Sequence, residues 1–333
     1  MTEQKQFTEI NKIPALTWNW LKMNRATLSV ETERDVACER KEVTATKKGE
    51  VAYVHLDFED GKTYAHEQVV VAEEDSELTV IVDYGSSLAS GGFSTVRTRL
   101  VAKPRSKIHL VKVQLLGDGF VQIDETAGEC ADGASIQVTQ VELGGSQIFA
   151  EVKADLNGVG SSFKSDTAYF CKKNQFFDFN YVVNHYGKQT DTKMNVKGVL
   201  ADSGKKTYRG TIDFKNGCAG ATGDEQEEIL LVSPNVVNKS IPIILCGEES
   251  VSGTHGATIG RLGAEELFYF QSRGITEAEA TKIMSYAKVM SVAQLVPDET
   301  LREKVRKYVE ELFFFVFLNR LFSTSLNNIF GKL

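Results

Sequence analysis

The sequence predicts a mostly β protein that ends in a small helical domain, and three observations support this class. Short runs alternate apolar and polar residues from about Val51 to Phe214. Glycine-containing turns separate these runs, and the period changes to that of a helix after Gly263. Alternation with a period of two is typical of half-buried strands, whereas spacings of three and four are typical of amphipathic helices.

Three runs, "VAYVHLDF", "QIFAEVKADL" and "TYRGTIDF", show the alternation most clearly. The apolar residues that share a face in these runs are Ala52, Val54, Leu56 and Phe58, then Ile148, Ala150, Val152 and Ala154, then Tyr208, Ile212 and Phe214. A sandwich, a barrel and a β-helix all fit many short strands of this kind. No strict sequence repeat selects one of them, although an irregular β-helix needs none.

Three helices are predicted after Gly263. The first covers Ala264 to Ser272, and Gly274 is predicted as its C′ residue. Thr276 and Glu279 form a capping box that begins the second helix. The apolar stripe of the second helix consists of Ala280, Ile283, Met284, Ala287 and Met290. Beyond Pro297, the third helix carries Leu301, Val305, Tyr308, Val309 and Leu312 at helical spacing.

Composition and charge exclude several classes of protein. The net charge of −7 argues against sequence-independent nucleic-acid binding, which needs clustered lysine and arginine. The N-terminus is polar and has no apolar signal-like region, and no run is long enough to span a membrane as a helix. The five cysteines lack zinc-like spacing. We therefore expect a cytoplasmic protein with reduced thiols.

Candidate chemical groups are few. His255 lies among small residues in "SGTHGATIG", which would let a ligand approach closely, but it could also be a packed, hydrogen-bonded histidine. His185 is predicted to be structural and His66 to lie at the surface. The acidic run "GDEQEE", residues 223–228, is either a catalytic carboxylate pair or a solvated turn. The glycines around His255 form no Walker A loop, because no Gly-Lys-Ser/Thr follows.

The C-terminal run from Leu312 to Leu318 is apolar throughout but too short to cross a bilayer. It could be the buried face of a docked helix, an interface patch or an accidental end of the reading frame. No function is assigned to it.

Several segments, taken together, resemble the SufB/SufD family, the scaffold proteins of the SUF iron–sulfur cluster assembly system. They are "VNHYGKQTDTKMNVKGVL", "YRGTIDFKNGCAGATGDEQEEILLVSPNVVNKSIPIILCGEESVSGTHGATIGRL", "EELFYFQSRGITEAEATKIM" and the N-terminal "IPALTWNWLKMN". The resemblance covers most of residues 13–295. It implies a right-handed parallel β-helix core with a C-terminal α-helical domain. The implied domains are an N-terminal segment 1–30, a core 31–262, a helical domain 263–318 that docks an ATPase, and a tail 319–333.

The resemblance also distinguishes the two subunit types of the family. The SufB type has a functional cysteine where this chain has Glu227, and it flanks its motif histidine with glutamates where this chain has Thr254 and Gly256. The text "HGAT" is the SufD form. His255 is therefore the implied iron ligand, since imidazole coordinates iron readily near neutral pH. Cys246 and Glu227 are weaker candidates for a cluster role, and Cys246 is otherwise a buried thiol.

The implied function is that of a non-enzymatic scaffold. A nascent iron–sulfur cluster forms where this subunit meets a SufB-type subunit, or a second copy of itself, and the cysteine desulfurase system takes part indirectly. A SufC-type ABC ATPase docks on helical residues, here Leu267, Phe268, Phe270, Ala280, Ile283, Met284 and Ala287. The resemblance leaves open whether a reduced flavin binds. The alternatives are a β-helix carbohydrate-active enzyme and a plain structural interaction protein.

Overall fold

A computed structural model describes residues 2–15, 19–87 and 90–312 of the chain. The body is a parallel β-solenoid of about eight turns. Each turn adds one strand to each of two eight-stranded parallel sheets, and register partners in successive turns are about 30 residues apart. The β-helix, one of three folds compatible with the alternation, is therefore confirmed. The apolar run beyond Leu312 and the predicted tail 319–333 lie outside the described residues.

The solenoid strands fall alternately into the two sheets, here called the odd sheet and the even sheet. The odd sheet contains β3 (Cys38–Ala45), β5 (Lys62–Ala72), β7 (Gly91–Ala102), β9 (Gly119–Cys130), β11 (Gln147–Leu156), β13 (Phe176–His185), β15 (Lys205–Phe214) and β17 (Val237–Cys246). The even sheet contains β4 (Glu50–Phe58), β6 (Glu77–Ser86), β8 (Lys107–Leu115), β10 (Ser135–Glu142), β12 (Ser162–Cys171), β14 (Asp191–Leu200), β16 (Thr222–Leu231) and β18 (Ser252–Gly260).

The inward rows of the strands form the main core, which lies between the two sheets. The predicted inward faces are confirmed, because all their residues are buried except the half-buried Ala52. Aromatic rings fill the later turns, where Tyr181 meets both Phe179 and Tyr208 edge to face. Apolar side chains buried on this scale supply the dominant favourable term of folding.

An antiparallel hairpin precedes the solenoid and covers part of the odd sheet. Its strands are β1 (Thr2–Ile10) and β2 (Ala26–Glu33), which enclose a short 3₁₀ turn, Asn19–Leu21. Apolar residues of the hairpin, Ile10, Ala26 and Leu28, pack on outward residues of the sheet, Phe93, Val121, Ile123 and Phe149. The N-terminal segment is thus fixed against the outside of the solenoid.

The helices are α1 (Ala264–Gln271), α2 (Glu277–Ala293) and α3 (residues 299–312). The predicted capping box is confirmed, since the Thr276 hydroxyl accepts from the Glu279 amide and the Glu279 carboxylate accepts from the Thr276 amide. Gly274 has φ +76°, but it is the C″ residue and not the predicted C′ residue, because α1 ends at Gln271 and Ser272 is the C-cap. No helix in the described ranges is long and apolar enough to cross a membrane.

Helices α2 and α3 fold back along the outer face of the even sheet. Their apolar residues form a second core with outward residues of strands β6 to β16. Ion pairs join Lys288 to Glu228 near the last turns, at 3.2 Å, and Lys304 to Asp83 near the first turns, at 2.7 Å. The chain therefore returns from the C-terminal end of the solenoid towards its beginning.

Candidate functional site at the open end of the solenoid

The C-terminal end of the solenoid is formed by the last two strands, β17 and β18. Within the described chain each has only one neighbour in its sheet. Every residue of β18 is exposed or half-buried, in contrast to the preceding strands. Edge strands present unpaired backbone N–H and C=O groups that can pair with another chain. We call this surface the open end.

His255 lies in the middle of β18 and belongs to the row of side chains that faces the interior. It is the register partner of Glu225, and parallel partners in register point to the same side of a sheet. Glu225 is buried inside the solenoid. A Cβ atom at Gly253, in the same row, would lie 2.9 Å from a ring carbon of the buried Phe214. His255 is nevertheless exposed, because within the described chain no further turn covers this row.

The residues that flank His255 take the opposite side of β18 and fix the strand there. The Thr254 hydroxyl donates to Oδ1 of Asp224 at 2.6 Å, and Nε2 of Gln226 donates to the same oxygen at 2.8 Å. The Gln226 amide lies over Gly256, where a side chain would displace it. These contacts stabilise β18 on its outer side, and the His255 imidazole on its inner side remains exposed.

Glu227 lies one inward position beyond Glu225 and is buried. It forms an ion pair with Lys206, whose ammonium also donates to Oγ of Ser240 at 3.1 Å. Burial, followed by repulsion from Glu227, raises the pKa of Glu225 to about 8. Near neutral pH the carboxyl of Glu225 is therefore largely protonated. The carboxylate of Glu227 is already committed to Lys206.

The acidic run 223–228 forms strand β16, so the expectation of a solvated turn was wrong. Alternate residues point inward, and this places Glu225 and Glu227 in the interior and Asp224 and Glu228 outside. The run gives no exposed carboxylate pair at a cleft. Sequence reasoning also missed Lys206. Alternate residues of β15 point inward, and Lys206 belongs to the same alternating set as the inward-facing Tyr208 and Ile212, so the pattern could have indicated that it points inside.

Cys246 ends β17 and is exposed, so the expectation of a buried thiol was wrong. Its Sγ lies 3.1 Å from the backbone oxygen of Glu248. Cys246 and His255 thus lie on the two last strands, at the same end of the solenoid. In residues 2–15, 19–87 and 90–312, no group of three His, Cys, Asp or Glu side chains is arranged to hold a metal ion.

Two of the remaining histidines and two of the remaining cysteines have structural surroundings. His185 is fully buried and hydrogen-bonded to Thr190 at 2.7 Å and Thr192 at 3.0 Å, and burial lowers its pKa to about 4. The expectation of a surface position for His66 was wrong, because only 9% of its side chain is exposed. Burial raises the pKa of both Cys130 and Cys171 to about 12, so neither is a reactive thiolate.

The predicted docking residues divide into exposed and buried sets. Helix α1 has no buried residue, and Phe268 is 72% exposed. On α2, Ala280 is buried and Met284 is half-buried against the solenoid, whereas Ile283 and Ala287 are exposed. Leu267 and Phe270 are half-buried. The apolar surface available to a partner is therefore Phe268, Tyr269 and Ile283, which we call the helical patch.

Comparison with known proteins identifies the family. The model of the family described as "SUF system FeS cluster assembly, SufBD core domain" matches residues 55–288. The chain belongs to the SufB/SufD family. Its matches include the "Iron-sulfur cluster assembly protein SufD" of Bacillus subtilis, 22% identical over 272 residues, which are 81% of this chain and 62% of that protein. The SufD protein of Escherichia coli is 24% identical over 235 residues, 70% of this chain and 55% of that protein.

A SufB protein also matches. The "Iron-sulfur cluster assembly protein SufB" of Bacillus subtilis is 21% identical over 248 residues, 74% of this chain and 53% of that protein. The chain therefore spans between half and two thirds of the length of these relatives. The SufD proteins and the "HGAT" motif at His255 both favour the SufD type within the family.

Proposed function

We propose that this chain is a SufD-type scaffold subunit that helps to build an iron–sulfur cluster at its open end. The observation that carries the proposal is the position of His255, an exposed imidazole in the inward row of an edge strand. The cluster is the cargo of this site and not a resident cofactor. One imidazole holds a cluster weakly, so the other ligands would come from the second subunit.

In this proposal the second subunit pairs through the open end. A SufB-type subunit, or a second copy of this chain, would align an edge strand with β17 or β18 and place its own thiolate beside His255. Cys246, exposed on the neighbouring strand, is the second candidate ligand of this chain. Glu227 is not a candidate, because it is buried in an ion pair with Lys206.

A SufC-type ABC ATPase is the proposed partner of the helical patch. Exposed aromatic and aliphatic side chains on adjacent helices are typical of a protein contact surface. The helices also lie against the even sheet, so a movement imposed on them would reach the strands of the open end. In this scheme the chain itself is not an enzyme, sulfur comes indirectly from a cysteine desulfurase system, and the complex is cytoplasmic. The scheme does not depend on whether a reduced flavin binds.

The test is cluster build-up on the assembled complex. The complex with SufB-type and SufC-type partners is reconstituted anaerobically with wild type, His255→Ala, His255→Cys and His55→Ala, and iron, sulfide and visible absorption are measured. His55 is the matched control, because it is an exposed strand histidine on β4, at the other end of the solenoid. We expect almost complete loss of cluster with His255→Ala, partial recovery with altered spectra for His255→Cys, and no change with His55→Ala.

Two results would contradict the proposal. One is undiminished cluster formation by an assembled His255→Ala complex. The other is equal loss in the His255→Ala and His55→Ala complexes, which would indicate a general effect of removing surface imidazoles. A carbohydrate-active enzyme is disfavoured because the carboxylates of β16 that face inward are buried and one is ion-paired. A plain interaction protein would show intact complexes whose cluster content does not depend on His255.

A further inference from the structure

A cleft of about 300 Å³ lies between the N-terminal segment and the outer face of the odd sheet, away from the open end's interior row. Its walls are the start of β2 with the preceding turn on one side and outward residues of β13, β15 and β17 on the other. The lining includes Lys22, Arg25, Phe176, Lys205, Arg209 and Lys239. Volumes of this size are at the lower end of those found for small-molecule sites.

The charge in the cleft is strongly positive and poorly compensated. Within the described chain, Lys22, Lys205 and Lys239 have no ion-pair partner, and Arg25 has one, Glu9 at 2.7 Å. This differs from the outer surface of earlier turns of the solenoid, where cations face carboxylates of a neighbouring turn. Examples are Arg97 with Glu125, Arg99 with Glu129, and Lys103 with Glu73. Uncompensated cations around a concave surface attract anions, and here they occur in a chain whose net charge is −7.

A buried arginine completes the wall of the cleft. Arg209 is 1% exposed, and its Nε donates to the backbone oxygen of Met23 at 2.6 Å. One terminal nitrogen is paired with Asp178, which also accepts from Asn11 at 2.7 Å. The other terminal nitrogen makes no hydrogen bond within the described chain. Asp178, the one carboxylate lining the cleft, is therefore occupied by Arg209 and Asn11 and does not neutralise the lysines.

We propose that this cleft binds the phosphate group of a small molecule. A phosphate offers several strong acceptor oxygens and up to two negative charges, which match separate lysine ammonium groups and a guanidinium nitrogen. The ring of Phe176 and the side chains of Ala26 and Val237 give the same cleft an apolar wall on which an organic body can lie. This chemistry is common to inorganic phosphates and to nucleotides, and it is independent of the cluster proposed at His255.

The experiment is calorimetric titration of the full 333-residue chain with inorganic pyrophosphate, with adenosine monophosphate and with adenosine. The variants are Lys205→Glu combined with Lys239→Glu, and the control Lys193→Glu. Lys193 is an exposed lysine on β14 in the other sheet. We expect the double variant to weaken binding of the phosphate-bearing probes by about tenfold or more, because two charge-assisted contacts are replaced by repulsion. Binding of these probes should also weaken with added salt.

The three probes distinguish the sources of the phosphate. If adenosine monophosphate binds more tightly than pyrophosphate, the apolar wall contacts a nucleoside. If pyrophosphate binds more tightly, the cleft is a site for inorganic phosphates. The proposal is overturned if wild type binds neither phosphate-bearing probe at millimolar concentration. It is also overturned if the double variant binds as wild type does, if Lys193→Glu loses as much affinity, or if adenosine binds as tightly as its monophosphate.

Discussion

The closed middle of the solenoid and its open end contain the same kinds of residue, but these residues differ in burial and in hydrogen bonding between the two regions. In the middle, His185 is fully buried and both ring nitrogens are hydrogen-bonded to threonine hydroxyls. At the open end, His255 occupies an inward row of the same solenoid and is exposed. A further turn of the solenoid covers His185, whereas within the described chain no further turn covers His255. This explains why one imidazole is buried and the other is exposed.

The comparison shows how one repeated architecture provides both a closed interior and an exposed surface. A polar group inside the solenoid must be paired, because leaving it unpaired in a low-dielectric interior is costly. The interior ion pairs Lys112–Asp124 and Lys206–Glu227 meet this requirement. At the last turn the same inward row meets solvent, so its side chains are accessible and are not required to pair within the described chain.

The largest effect on stability is expected from His185→Ala. The substitution leaves a void beside the Phe214 ring, whose centroid is 4.8 Å from that of the imidazole, and removes the partner of two buried hydroxyls. We expect a loss of about 2–4 kcal/mol in the free energy of unfolding. The measurement is denaturant unfolding of His185→Ala and His255→Ala in parallel. His255→Ala should lie within about 0.5 kcal/mol of wild type. Similar losses in both variants would remove the distinction between the two regions.

A smaller effect, dependent on pH, is expected from Glu142 in the middle of the solenoid. Asp124 already neutralises Lys112, so a second buried carboxylate has no counter-ion, and burial together with Asp124 raises the pKa of Glu142 to about 8. Between the ordinary glutamate pKa of 4.5 and this raised value, the unfolded chain loses a proton that the folded chain keeps. Glu142 therefore lowers stability as pH rises through this window, by at most about 1.4 kcal/mol per pH unit.

Glu142→Gln should remove this pH dependence. Unfolding free energies of wild type and variant are compared from pH 5 to pH 8, and the advantage of the variant should grow with pH. Glu125→Gln, on the outer row of β9 and paired with Arg97 at 2.8 Å, is the control and should show no such growth. A constant difference between Glu142→Gln and wild type across the range would mean that Glu142 is ionised in the folded chain.

Sequence reasoning predicted the inward faces of the strands well, because alternation is a local property. It could not choose the solenoid, since strands pair with partners about 30 residues away and no strict repeat marks them. The family resemblance supplied that choice. Exposure was the other weak point. Cys246 was expected to be buried and is exposed, and the acidic run of β16 was expected to be solvated, but Glu225 and Glu227 are buried. Whether a residue is covered depends on its turn in the stack, which the neighbouring sequence does not encode.

The smallest effect on stability is expected where the open end continues into the helices, with Ile283→Asp. Ile283 is 45% exposed on α2, and no carboxylate introduced there needs to enter the core. Ala280, three residues earlier in the predicted stripe, is fully buried, so Ala280→Asp should destabilise the chain strongly by burying an unpaired charge. We expect Ile283→Asp to keep the free energy of unfolding within about 0.5 kcal/mol of wild type. Binding of a SufC-type ATPase should nevertheless fall by about tenfold or more.

Lys282→Ala, next to Ile283 on the exposed surface, controls for general changes on α2. Thermal unfolding and ATPase affinity are measured on the same preparations. A folded Ile283→Asp variant with undiminished affinity would exclude the helical patch as the docking surface, whereas loss of folding would show that Ile283 belongs with Ala280 and the closed region.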